Sequence, residues 1–245
     1  MTFKTIITLM AIVLSAVPAD AEEDSFRIYD VQGRSLEAKL LQVDTRRGML
    51  ELELRNKQRK KVKVAIFSKS DQAYFRDWHA VQEFQSSRLK VEVRKKIVNS
   101  RMEMVQGAVR RDIDEISYEI TVDNRTEFPI GDIKIEYNIY AEQQVLGNGR
   151  TEVDFFTAYG DLEVGTLAPR KSKVVKTEPF DLYKQRLSGG YDAYADGTPT
   201  NQTGKIKGVR VKFILKTPSG IIYVRELCLP EETKDRHDWV DVDGN

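Results

Sequence analysis

From Phe26 to Ser68 apolar and polar positions alternate: FRIYDVQGRSLEAKLLQVDTRRGMLELELRNKQRKKVKVAIFS. A period of two marks strands with one buried and one solvated face. Phe26 and Ile28 fall on one side of the first strand, which turns Arg27 and Tyr29 to the other. After a turn at Val31–Arg34, Leu36, Ala38 and Leu40 share one face of a second strand. Met49–Leu54 forms a third, and Val62, Val64 and Ile66 mark a fourth after the polar turn Asn56–Arg59. Short strands joined by short polar turns predict a small antiparallel barrel.

The alternation stops at FSKSDQAYFRDW, residues 67–78. Ser68 is placed to cap a short helix, with Asp71 near the positive end of its dipole. Ala73, Tyr74 and Trp78 form an apolar stripe suited to closing the barrel, and Phe75 and Val81 extend it. Residues 81–88 read as a polar linker or the end of the helix. From Leu89 the strands lengthen. LKVEVRKKIV precedes a charged stretch to Glu115, then come ISYEITVDN, IKIEYNIYAE, DLEVGTLAP, KSKVVKTEPFDL and a hairpin around Pro218-Ser219-Gly220. About seven strands with turns between them predict an antiparallel β-sandwich over 89–230. The Gly-, Asp- and Tyr-rich residues 187–205 read as a long excursion between strands. Residues 231–245 read as a flexible C-terminal tail.

The length of 245 residues suits one large or two small domains. A net charge of +1 removes any global pull toward nucleic acid or an anionic membrane. Lys4 precedes an apolar run, Ile6 to Val17, and Ala19-Asp20-Ala21 fits a small-x-small cleavage rule. This predicts a signal peptide over 1–21, a barrel domain over 22–80 and a secreted or periplasmic chain. The run is about 12 residues against the roughly 20 a bilayer needs, so no integral membrane segment is expected after cleavage. Cys228 is the single cysteine, so no internal disulfide forms. Its alternation with Val224 and Glu226 makes it a half-buried small hydrophobe.

The first domain resembles the SLA homology domain 1 family over residues 25–79. The resemblance is carried by FRIYDVQGR, Ala38, Gly48-Met49-Leu50-Glu51-Leu52 and FSKSDQAYFRDW. Phe67 stands where the family has leucine, and NKQRKK replaces its glycine turn. The resemblance implies an SH3-like barrel, and a eukaryotic member recognises a short peptide sorting motif. Residues 89–230 are similar to secreted immunoglobulin-like or fibronectin-like domains, through VDNRTEFPIGDIKIEYNIY and GTLAPRKSKVVKTEPF. In those domains an asparagine follows one strand and a leucine-x-proline turn precedes a strand of the far sheet. The disulfide and core tryptophan of antibody domains are missing. The expected fold class is thus all-β: an SH3-like barrel with a short closing helix, then an immunoglobulin-like sandwich.

Motifs for chemistry are scarce. His79 and His237 lack the i,i+4 partner of a helical zinc site. GNGR at 147–150 lacks the context of a phosphate loop, and no G-x-S-x-G elbow occurs. DVDGN at 241–245 lacks the further ligands of a calcium loop. RNKQRKKVK and RKK read as outer-strand charges that block edge pairing rather than as a nucleic-acid platform. No catalytic residue, metal site or cofactor is therefore expected. The expected function is secreted, non-catalytic binding of a protein or peptide, with Arg27, Tyr29 and Trp78 as the binding residues. The alternatives are a structural envelope component, and an uncharacterised hydrolase or its accessory domain.

Overall fold

The structure is a computed structural model that describes residues 26–105, 109–147, 150–187 and 201–242. The expected signal peptide and most of the 187–205 excursion lie outside the described residues. The chain is all-β, with two compact units dividing between Gln72 and Ala73. Among the described residues no helix is long and apolar enough to cross a membrane.

In the first unit β1 (Arg27–Val31), β2 (Arg34–Asp44), β3 (Met49–Leu54) and β4 (Arg59–Lys63) form an antiparallel meander in chain order. The β1–β2 turn is set by Asp30, whose Oδ1 accepts the Gly33 N–H at 2.7 Å. Gly33 takes φ +80°, which suits a residue without Cβ. A bulge in β2 between Leu40 and Gln42 adds curvature. After β4 a 3₁₀ turn, Val64–Ile66, brings Phe67 back to bridge Val31. That bridge closes the meander into a small barrel around Tyr29, Ala38, Leu40, Leu50, Leu52 and Phe67, all buried.

The facing of β1 corrects the sequence reading. Ile28 is 66% exposed and Tyr29 only 1%. Asp30 must point outward to cap its own turn, and residues two apart share a face. Ile28 therefore goes outward with Asp30, and Tyr29 packs edge-on against Phe67, their centroids 6.0 Å apart. A one-residue change of phase inverts every side chain of a strand.

Helix α1 spans Lys69–Gln85, 17 residues. Its start follows expectation: Ser68 Oγ accepts the Asp71 N–H at 3.1 Å and donates to Asp71 Oδ2 at 2.8 Å. The same Oδ2 accepts the Asp30 N–H at 2.8 Å, joining the first helical turn to β1. Residues 81–85, read from sequence as a linker or the end of the helix, continue the helix. Val81 and Phe84, three apart and so on one helical face, are both buried. Phe84 belongs to the sandwich core. Asp77, buried, accepts from the backbone N–H and the hydroxyl of Ser219.

The second unit contains β5 (Leu89–Met104), β6 (Val109–Asn124), β7 (Ile130–Gly147), β8 (Arg150–Leu167), β9 (Lys171–Lys176), β10 (Phe180–Leu187), β11 (Gln202–Lys216) and β12 (Ile222–Leu229). β5 pairs with β6, whose other edge takes β9 at one end and β10 at the other. The second layer runs β12-β11-β7-β8. The layers meet where Lys184 and Gln185 pair with Thr203 and Gln202. Every pairing is antiparallel, and the layers enclose one core, with Ile116, Ile120 and Val122 from one and Ile135, Val211 and Phe213 from the other. This is an antiparallel β-sandwich.

Polar clusters sit at opposite ends of β6. At its C-terminal end Asn124 is fully buried. Its Nδ2 lies 2.8 Å from the carbonyl oxygen of Phe128, 3.0 Å from that of Leu167 and 3.1 Å from that of Ala168. Its Oδ1 accepts the Thr126 N–H at 2.9 Å. At the other end Arg111 donates to Gln185 Oε1 through Nε and Nη2, at 3.1 and 2.8 Å. Gln185 Nε2 donates to Gln202 Oε1 at 3.3 Å. Gln143 accepts the Tyr183 N–H at 3.1 Å and donates to its carbonyl at 3.2 Å, standing in for a strand neighbour. Gly204 leaves the room this needs, since a Cβ there would lie 2.4 Å from Gln143 Oε1.

The expected flexible tail is seated as far as residue 240. After Leu229 a short helix, α2 (Thr233–Arg236), turns the chain back over the outer face of β11 and β7. Asn138 exchanges two hydrogen bonds with the Val240 backbone, at 2.9 and 2.8 Å. The Tyr140 hydroxyl donates to the Asp238 carbonyl at 2.8 Å. His237 stacks on Tyr140, and Trp239 lies 3.7 Å from Lys212 Nζ, measured to the ring centroid. Polar residues can order a chain end when the sheet beneath supplies complementary donors and acceptors.

Candidate protein-binding surfaces

Arg27 is exposed at the start of β1, while Tyr29 is sealed inside the barrel, which removes it from the binding surface. Trp78 belongs to the second unit and is half-buried in α1. The basic run at 55–63 meets carboxylates, with Arg59 3.9 Å from Glu51 and Lys61 3.9 Å from the same residue. Arg94 pairs with Glu92, and Lys96 lies 3.5 Å from Glu119. Neutralised in this way, these residues act as guards of exposed strands.

The barrel carries a broad groove of about 450 Å³ over β2, β3 and β4. It is lined by Gln42, Asp44, Arg47, Met49, Leu50, Glu51 and Lys61. Two carboxylates face two cations, so the groove favours a zwitterionic or neutral partner over a strongly charged one.

A second surface lies on β8. Register pairs Val153 with Gln144, Phe155 with Glu142 and Tyr159 with Asn138. Phe156 and Ala158, between them, pack on the core. The odd positions therefore face outward, where Val153 is 41%, Phe155 69% and Tyr159 44% exposed. Among the described strands β8 pairs only with β7, so it is a sheet edge. Lys173 Nζ donates to the carbonyls of Glu163 and Val164 at 3.2 and 2.8 Å and covers the far part of that edge. Val153 to Tyr159 lies outside this cover. The strand's first half, RTEVDFFTAYG, escaped the sequence reading because its acidic and paired aromatic residues blur the alternation.

Reactive groups are held in neutral form. Burial pushes the Cys228 thiol above its ordinary range and the Tyr118 phenol up to about 12. Burial lowers His79, partly opposed by Glu83, and its ring packs edge-on against Phe128 at 4.7 Å. Among the described residues no group of three or more His, Cys, Asp or Glu could hold a metal ion.

No family model and no curated protein matches the chain. Similar solved structures include Northeast Structural Genomics Consortium target SoR45, at 14% identity and a TM-score of 0.27, over 58% of this chain and 85% of the other. Another is Spo0M, a sporulation control protein from Bacillus subtilis, at 14% identity and a TM-score of 0.21, over 56% and 47%. Likenesses this distant carry no argument about activity.

Proposed function

We propose that the chain is an exported, non-catalytic module that binds a protein or peptide in the periplasm or at the cell surface. The observation that carries this reading is the outward stripe of Val153, Phe155 and Tyr159 on a sheet edge. Aromatic side chains give large contact area for little lost freedom, and an open edge adds backbone hydrogen bonds to an extended partner. The barrel groove, on a domain that resembles SLA homology domain 1, offers a second contact. The sequence supports export through the apolar run and Ala19-Asp20-Ala21.

The test pairs Phe155→Ser with Tyr159→Ser in one chain and compares its partner capture from the exported fraction with that of the parent. We expect an unchanged melting temperature, because both side chains are solvated, and loss of the captured partner. Equal capture by variant and parent overturns the assignment to β8. N-terminal sequencing of the exported protein should give a start at Glu22, and a chain still beginning at Met1 removes the export claim.

A further inference from the structure

The edge strands of the sandwich differ in whether their charges are paired. On β5 Arg94 meets Glu92, Lys96 lies 3.5 Å from Glu119, and Arg101 reaches both Glu103 and Asp181. On β12 Glu226 holds Arg210 at 2.7 Å. On the open part of β8 Glu152 and Asp154 are both exposed, and among the described residues neither is paired with a cation. The positions opposite them on β7 are Val145 and Gln143, which are neutral. Farther along β8, Asp161 is paired with Lys134 at 3.3 Å.

The register of β8 with β7 runs without a bulge from Arg150 to Glu163, so side chains two apart share a face. Val153, Phe155 and Tyr159 stand on the outer face. Glu152 and Asp154 stand on the other, which continues through Phe156 and Ala158 onto the core. Over 152–155 the edge therefore alternates carboxylate and apolar side chain, all four exposed. A strand added here sets each of its residues opposite one of these and on the same face. The strand that complements them carries Lys or Arg opposite Glu152 and Asp154, and apolar side chains opposite Val153 and Phe155. The chain covers the far part of this edge with a cation of its own: Lys173 Nζ donates to the carbonyls of Glu163 and Val164.

We propose that the partner of β8 is an extended basic peptide segment, in which Lys or Arg alternates with apolar residues, added as a strand along residues 152–159. This rests on the reading of β8 as a binding edge. The aromatic stripe supplies contact area on the outer face, and the carboxylates select the sign of the partner on the other. The same carboxylates repel an acidic segment and the β8 of a second copy. They guard the edge against self-pairing and leave it open to a cationic strand.

The probe is a fluorescent peptide of about eight residues alternating valine and lysine, matched to the open stretch at one residue per position, and its anisotropy is read on titration with the full chain. It should bind, and added salt should weaken it. Glu152→Gln combined with Asp154→Asn should weaken it about threefold to tenfold, from the loss of two exposed charge pairs. Glu152→Lys combined with Asp154→Lys should turn the preference to a valine–glutamate peptide. Both side chains are exposed, so melting temperatures should not change. Equal binding of a peptide with its valines and lysines in two blocks, or an affinity indifferent to both carboxylate variants, overturns the proposal. Tighter binding of a valine–glutamine peptide, lost in the Phe155→Ser, Tyr159→Ser chain, overturns the basic partner and keeps β8 as the binding edge. Binding of none of these peptides also overturns the proposal, and the capture experiment with Phe155→Ser and Tyr159→Ser then decides separately whether β8 binds a partner.

Discussion

The two ends of the sandwich are both closed by buried amides, yet the amides do different work. Asn124 spends its whole side chain on the backbone: three carbonyls surround its Nδ2, and its Oδ1 takes the Thr126 N–H. It ties the end of β6 to the end of β8 and to the loop before β7. The glutamines at the other end mostly bond each other and neighbouring strands, and Gln202 Nε2 is buried with no hydrogen-bond partner among the described residues. A buried polar group stabilises when it is fully answered, and its removal then leaves several orphans. A half-answered one holds little, and its removal costs little.

The widest gap should appear on replacing Asn124. Asn124→Ala takes the side-chain donor from the Leu167 carbonyl and the acceptor from the Thr126 N–H, while the carbonyls of Phe128 and Ala168 keep Thr126 Oγ1 and the Lys171 N–H; we expect a loss of about 3 kcal/mol in urea unfolding. A loss below about 1 kcal/mol would erase the distinction between the two ends. Gly204→Ala should rank next. Its new methyl would meet Gln143 Oε1 at 2.4 Å and Leu182 Cδ2 at 2.9 Å, and overpacking of this kind costs about 1–3 kcal/mol. A neutral result would mean that Gln143 swings aside freely and holds nothing across the seam. Gln202→Leu should change stability by less than about 1 kcal/mol, since the lost acceptor for Gln185 is offset by removal of an unpartnered amide. A loss as large as that of Asn124→Ala would show the glutamine end to be fully engaged.

The smallest effect is a pH dependence beside Asn124. His79 packs on Phe128, and burial lowers its pKa from the ordinary 6.5. Above that value the ring is neutral in both folded and unfolded chains. As pH falls below it, the unfolded chain takes up a proton that the folded chain resists, so stability declines until the folded pKa is passed. His79→Phe should flatten the stability–pH curve between neutral pH and about pH 5. Parallel curves for parent and variant would show that His79 does not contribute.

The Asn124 end was marked in the sequence only by a resemblance, and its burial was not read. VDN followed at a distance by GTLAP marked an asparagine after one strand and a turn before another, and the structure supplies the hydrogen bonds that join them. The glutamine end was not, because Gln143, Gln185 and Gln202 are polar residues whose burial depends on pairing across layers. The charged residues 99–104 and 109–115 were likewise missed as strand. Their charges are answered by neighbours rather than by water alone, as in Ser100 with Asp114 and Arg101 with Asp181. The barrel's meander was readable from its period of two, but the phase of β1 was not, since Ile28 looks like core until Asp30 is assigned to its turn. Of the expected binding residues Arg27 is exposed, Trp78 half so and Tyr29 not at all. The β8 stripe lay in a segment the alternation did not reveal.

The bond from the Asp30 N–H to Asp71 spans 41 positions, and the Phe67 bridge to Val31 spans nearly as many. On a ribosome β1 emerges first and its partner edge last. A nascent chain that ends before Phe67 therefore carries a meander whose first strand is still unpaired on one side, and the closed barrel is tied to α1 only when the helix's first turn has been made.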